Sequence, residues 1–242
     1  MLLGEKNKIN LKGIVKYAYK KMGKAIADYN MLSSNDKLLV AVSGGVDSLC
    51  LLKLLLIRKE RVPINFEMIV CFVDTDFIKI DKDALFAYLD KSKVKYVIKN
   101  LAFGKTKIDC FWCSWNRRKI IFETAKEYSC NKVVLGHNMD DIVETILLNL
   151  FFNGEISAMK PKIELFGGKL TIIRPLCYIE KKDIINLATK LNISIMQYEC
   201  LYGKNSKRQK VKDIIGLLHS ISPTVKKNIF RAIYRIRKDY LL

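Results

Sequence analysis

Apolar and polar positions along this chain fall into blocks whose period switches between that of a strand and that of a helix. Leu38-Leu39-Val40-Ala41-Val42 is a continuous apolar run of strand length, and the leucine-rich stretch 49–57 behind it reads as a helix. Upstream, Ile14, Ala18, Met22 and Ile26 recur every fourth residue, which predicts a helix over 12–30 with one buried face. The same reading predicts further strands at 67–73, 95–99, 132–135 and 170–173. Helices are predicted over 81–92, 114–128, 139–152, 181–191, 207–218 and 224–237. Strand alternating with helix implies an α/β fold, a doubly wound parallel sheet with right-handed crossovers and flanking N- and C-terminal helices. Three segments are expected: an N-terminal helical segment 1–34, an α/β domain 35–200 and a basic helical segment 201–242.

Ligands of such sheets sit beyond the carboxyl ends of the strands. That rule puts Ser43 to Ser48, Asp74 and the stretch Gly136-His137-Asn138-Met139-Asp140-Asp141 on one rim. The segment Ser43-Gly44-Gly45-Val46-Asp47-Ser48 joins the first strand to its helix. Its two glycines let the backbone turn and approach a ligand closely. The helix that follows aims unpaired N–H groups and a positive dipole end at the turn, which suits an anion. Ser43 and Ser48 add hydroxyl donors, and Asp47 is a carboxylate able to hold a metal ion against a phosphate. The loop lacks the Gly-Lys-Ser/Thr ending of a Walker A site. It resembles instead the pyrophosphate loop of enzymes that split ATP into AMP and pyrophosphate. At the second rim segment, Asp140 and Asp141 are candidates to bind Mg²⁺ or align that pyrophosphate, and His137 to contact the nucleotide. As first-turn residues the two aspartates would equally complement the helix dipole.

Charge adds a partner to this picture. The 242 residues carry 43 Lys+Arg against 24 Asp+Glu, a net charge of +19. The excess is concentrated at the ends: residues 203–242 hold eleven Lys/Arg and two Asp, and the first 24 hold seven Lys and one Glu. Such a balance points to a polyanion, above all a nucleic acid. Lys207-Arg208 and the row Arg231, Arg235, Lys238 are spaced to meet phosphates from helix faces. No apolar run approaches the roughly 18–20 residues that span a bilayer, and residues 1–10 lack the apolar core of a signal peptide, so a cytoplasmic protein without membrane contact is expected.

Seven cysteines, an odd number in a chain with no export signal, argue against a disulfide framework. Cys50, Cys71, Cys130 and Cys177 lie in or beside apolar runs and read as small buried hydrophobes. Cys110-Phe111-Trp112-Cys113 differs: a CxxC pair at the start of a predicted helix, where thiolates are favoured. Three chemistries fit the pair. It could form half of a zinc site, for which the chain offers no second CxxC or His pair, or a redox disulfide. It could also join Cys200 to bind a [4Fe–4S] cluster through three thiolates, leaving one iron open. Arg117 and Arg118 follow one helical turn later, as candidate phosphate contacts.

Taken together, SGGVDS, CFWC with Arg117-Arg118, GHNMDDIVET, Ile173-Arg174-Pro175-Leu176 and Lys182-Asp183-Ile184-Ile185 resemble the TtcA-type tRNA 2-thiocytidine synthetases across 22–215. SGGxDS alone is shared with lysidine, GMP and NAD synthetases; the combination with CxxC and a distal cysteine is more specific. The resemblance implies a PP-loop ATP-pyrophosphatase domain with ATP on Ser43, Gly44, Gly45, Asp47 and Ser48, and with Asp74, Gly136 and His137 beside it. It implies Mg²⁺ on Asp47, catalytic roles for Asp47, Arg117, Asp140 and Asp141, and a [4Fe–4S] cluster on Cys110, Cys113 and Cys200. The implied reaction adenylates C2–O of a tRNA cytidine, position 32 in the family, and replaces the oxygen with sulfur from a cysteine desulfurase or free sulfide. A homodimer is implied as well. Uridine 2-thiolation and lysidine synthesis share the first half-reaction; CxxC counts against the second of these. One departure from the family pattern is Val46, which stands where a lysine is common.

Overall fold

A computed structural model of the chain describes residues 11–75, 78–101, 110–193, 199–200 and 206–240, with the side chains of Cys110, Phe111, Glu199, Cys200 and Lys238 outside that description. In chain order the elements are α1 (Gly13–Asp28), β1 (Asp36–Val42), α2 (Val46–Arg61), β2 (Phe66–Thr75), β3 (Ile78–Lys79), α3 (Lys82–Lys91), β4 (Tyr96–Leu101) and α4 (Cys110–Glu127). They continue with β5 (Lys132–Val134), α5 (Met139–Asn153), β6 (Lys162–Leu165), β7 (Leu170–Ile173), α6 (Lys181–Lys190), β8 (Glu199–Cys200), α7 (Lys207–Ile221) and α8 (Val225–Ala232).

Six strands form one sheet in the order β4-β2-β1-β5-β7-β6. All neighbours are parallel except β6, which pairs antiparallel with β7 at the edge. That edge strand is an addition to the parallel sheet the sequence predicts. β6 alternates polar and apolar residues, Lys162-Ile163-Glu164-Leu165, without the continuous apolar run that marks the buried strands, and among the described residues it pairs with β7 alone. Alternation along β1 divides the core. Leu38, Val40 and Val42 face a large cluster shared with α1, α2, α3, α5 and α6, while Leu39 and Ala41 face a smaller one covered by α4. Val211 and Ile215 of α7 and Phe230 of α8 extend the larger cluster.

Strand order reverses between β1 and β5, which lie side by side with Val40 opposite Val134. At their N-terminal ends, far from the rim, Lys132 Nζ meets Asp36 Oδ2 at 2.7 Å and donates to the Met31 carbonyl at 2.8 Å. Both side chains of this pair are buried. Breaking one partner of such a pair leaves an uncompensated charge, so it pins the register of the two strands that carry the rim segments.

The predicted helix over 224–237 ends early. α8 stops at Ala232, where Tyr234 N and Arg235 N bond three residues back to Arg231 and Ala232. Tyr234 Oη meets Tyr29 Oη at 2.6 Å, so a tertiary interaction with the end of α1 takes over from the helix ladder. Arg231, Arg235 and Lys238 therefore do not share one helix face. No helix among the described residues is long and apolar enough to cross a membrane.

Candidate active site

The loop after β1 is folded by its own hydroxyls. Gly44 takes φ +80°, a conformation that only glycine adopts freely. Ser48 Oγ donates to the Gly45 carbonyl at 2.8 Å and accepts from Ser43 N at 3.2 Å. Ser43 Oγ in turn accepts from Gly45 N at 3.3 Å. The serines thus shape the loop as well as lining the cleft above it. Gly136, after β5, serves close approach: a β-carbon there would stand 3.1 Å from Ser48 N and 3.2 Å from Ser48 Cα.

Asn138 caps α5 with a reciprocal capping box. Its Oδ1 accepts from Asp140 N at 2.8 Å and Asp141 N at 3.2 Å, and Asp141 Oδ2 accepts from Asn138 N at 3.0 Å. Asn138 Nδ2 then donates to Asp47 Oδ1 at 3.0 Å, joining the two rim segments. The other Asp47 oxygen, Oδ2, lies 2.5 Å from Lys181 Nζ, at the start of α6. Asp140 is held from behind: its Oδ2 accepts from Lys181 N at 2.7 Å and its Oδ1 pairs with Lys226. Sequence reasoning does not single out Asn138 or Lys181 as site residues. The capping preference of Asn before an acidic first turn marks Asn138; nothing local marks Lys181, which is 134 positions from Asp47.

These groups border a cleft of about 760 Å³. Ser43, Gly45, Asp47 and Ser48 line it, with Gly136, His137 and Asp141 from the second segment, Lys181 from α6 and Arg208 from α7. From the other side of the sheet α4 contributes Ser114, Arg117 and Arg118, which follow Cys113 in sequence. Three residues predicted for the nucleotide site, Gly44, Asp74 and Asp140, are not among those lining the cleft. Asp140 lines a second cavity of about 430 Å³ that shares Asp47, Asp141 and Lys181 with the first. Asp74 is paired with Lys82 at 2.6 Å.

The charges that act on His137 are mainly arginines. Burial, reinforced by the guanidiniums of Arg174, Arg208 and Arg118, pushes the His137 imidazole down to about 3. Its Nδ1 accepts from Arg174 Nε at 3.3 Å, so the neutral ring carries its proton on Nε2. Glu144, buried on α5, is pushed up to about 7 by desolvation, against the pull of Lys212 and Arg208. Arg208 Nε is 3.3 Å from Glu144 Oε2, yet that oxygen has no aligned hydrogen bond. The pair is an electrostatic contact rather than a hydrogen bond, and it holds Arg208 at the cleft.

Four cysteines behave as small core residues. Cys50, Cys71 and Cys177 are buried with thiols pushed up by desolvation to about 12, 11 and 12, and Cys130 is buried too. Cys113 is half-buried and packs, with Trp112, against the apolar cluster that contains Ile78. Ile78 is paired with Cys200 in the two-stranded β3–β8 ribbon, so the segments bearing the distal cysteine and the CxxC motif border one cluster. Among the described residues, no group of three His, Cys, Asp or Glu side chains is arranged to hold a metal ion. The Cys110 and Cys200 side chains lie outside that set.

The family model for the PP-loop domain matches residues 15–216, the span that builds this cleft. A tRNA-cytidine(32) 2-sulfurtransferase of Methylobacillus flagellatus is 40% identical over 228 residues, covering 90% of this chain and 75% of that protein. The chain is a PP-loop protein of the tRNA-cytidine(32) 2-sulfurtransferase family. It is accordingly a sulfurtransferase built on an ATP-binding fold. A second relative of that name, from Geotalea uraniireducens, is 33% identical over 92% of both chains. Among solved structures, the U34-tRNA thiolase NcsA from Methanococcus maripaludis with its [4Fe-4S] cluster matches with a TM-score of 0.77 at 25% identity, over 92% of this chain and 78% of that one.

Proposed function

We propose that this sulfurtransferase converts a tRNA cytidine, at position 32, to 2-thiocytidine at the expense of ATP. The observation that carries the reading is one cleft bordered both by the Ser43–Ser48 loop and by the α4 turn that follows Cys113. ATP would place its phosphates over the loop and the start of α2, with Asp47 and Asp141 available to Mg²⁺. The apolar wall of Ala41, Val73, Ile121 and Leu135 suits its adenine. The base's C2 oxygen attacks the α-phosphorus, the bond to the bridging oxygen breaks and pyrophosphate leaves. A sulfur nucleophile then adds at C2, and the original oxygen departs with AMP.

The residues of the cleft have separable tasks in this scheme. Arg117 and Arg118 face the charge that develops on the α-phosphoryl group and the incoming tRNA backbone. His137, neutral and fixed by Arg174, can donate a hydrogen bond from Nε2 but does not carry charge at neutral pH. Three thiols are the soft donor set that an iron–sulfur cluster takes, and the common apolar cluster beneath Cys113 and the Cys200 strand supports such a fit. Held by Cys110, Cys113 and Cys200, a [4Fe–4S] cluster would leave one iron without a protein ligand and supply the site from which sulfur is delivered. The NcsA likeness supports the same chemistry on a tRNA base; the identity to the cytidine enzymes favours cytidine over uridine. Release of AMP and pyrophosphate from ATP, dependent on tRNA, tests the reading. Formation of ADP and inorganic phosphate would overturn it.

A further inference from the structure

The loop 43–48 has no cation of its own, since Val46 is apolar. Among the described residues, four cations line the cleft beside it: Arg117, Arg118, Lys181 and Arg208. Arg208 is held against Glu144, and the two α4 arginines come from the opposite face of the sheet. Lys181 is different. Among the described residues it is the cleft cation with a direct bond to the loop, at 2.5 Å from Asp47 Oδ2.

Its attachment combines a fixed base with a movable end. The Lys181 backbone N–H is tied to Asp140 at 2.7 Å, which sets where the side chain begins. The side chain keeps 38% of its exposure, and Lys181 lines both cavities on a flexible four-carbon stem. Asp47 has its other oxygen on Asn138, so the carboxylate stays in place if the ammonium leaves. A cation arriving on Asp47 and an anion arriving beside it would each compete for one half of this ion pair. MgATP brings both.

We propose that Lys181 is a phosphate-binding residue that exchanges Asp47 for the β- and γ-phosphates of ATP, supplying the cation the loop lacks and yielding Asp47 to Mg²⁺. The inference rests on the ATP reading above. It has Lys181 touch the group that leaves as pyrophosphate, and neither the adenosine nor the α-phosphate that leaves as AMP.

The test is calorimetric titration of the protein and its Lys181→Met and Lys181→Arg variants with ATP, inorganic pyrophosphate and AMP, at fixed Mg²⁺ and without tRNA. Removing one charge-assisted hydrogen bond weakens binding by about 10- to 100-fold. Lys181→Met should show that weakening for ATP and pyrophosphate while AMP binding stays within about twofold of wild type. Lys181→Arg keeps the charge and should recover most of the affinity, which also separates the effect from misfolding. Lys99→Met, which removes the partner of Glu127 away from the cleft, should bind all three ligands as wild type does. Unchanged pyrophosphate affinity in Lys181→Met, an equal weakening for AMP, or no recovery with Arg overturns the role of Lys181 alone. A wild-type protein that binds no ATP overturns the ATP reading and this inference with it.

Discussion

Gly136 and Ser48 come from different rim segments, yet a β-carbon on Gly136 would stand 3.1 Å from the Ser48 amide nitrogen. The atoms in the way are backbone: Ser48 N and Cα, and the Asp47 carbonyl carbon at 3.3 Å. They cannot rotate aside as a side chain could. Gly136→Ala should therefore displace the start of α2, costing about 1–3 kcal/mol of stability and weakening ATP binding about tenfold. Denaturant unfolding and ATP titration check the two effects together; an alanine variant equal to wild type in both would contradict the packing argument.

Glu144 makes stability depend on pH. Its folded value, about 7, lies above the ordinary 4.5, because burial outweighs Arg208 and Lys212. The stabilising contribution is thus complete below about pH 4.5 and is lost as pH rises through about 7. The loss amounts to about 3–4 kcal/mol at most. Unfolding curves from pH 4.5 to 8.5 should show wild type falling relative to Glu144→Gln over this window. A constant difference between the two proteins would mean that Glu144 titrates normally.

His137 shifts the other way. With a folded value of about 3 it stays neutral through the physiological range, so stability from this residue is present above pH 6.5 and is lost as pH falls toward 3. The chain has two histidines, so imidazole NMR signals are readily assigned with a His137→Asn variant. The His137 signal should not titrate between pH 5 and 8; a midpoint near 6.5 would refute its burial and its bond to Arg174.

Much of this arrangement is legible in the sequence because it is local. A buried apolar run, two glycines and a leucine-rich helix place the loop on the sheet rim, and the strand–helix alternation brings Gly136 to the same side. What escapes a reading of the sequence is tertiary. Lys181 reaches Asp47 across 134 positions and carries no signature beyond a helix start. Asn138 acts through a cap that also reaches Asp47, and a cap looks the same in sequence whether or not it does so. The stripe Arg231, Arg235, Lys238 has the right spacing for a helix, but the Tyr234–Tyr29 hydrogen bond ends α8 before the stripe is complete.

Cysteine substitutions separate the sulfur chemistry from the core. After anaerobic purification, Cys113→Ser should lose the iron and the brown colour expected of wild type, as should Cys110→Ser and Cys200→Ser. Cys130→Ser, at a buried position in the smaller core cluster, should keep the iron. Stoichiometric zinc in place of iron in the wild type would contradict the cluster assignment.

If the loop and the thiol segment serve one reaction on one base, both are needed to form the same tRNA nucleoside. Mass spectrometry of tRNA nucleosides measures this in cells that lack the protein and in the same cells supplied with wild type, Asp47→Ala or Cys113→Ser. 2-Thiocytidine should appear with wild type alone and be absent with either variant. Loss of 2-thiouridine with 2-thiocytidine untouched, or 2-thiocytidine persisting with either variant, would contradict the shared reaction.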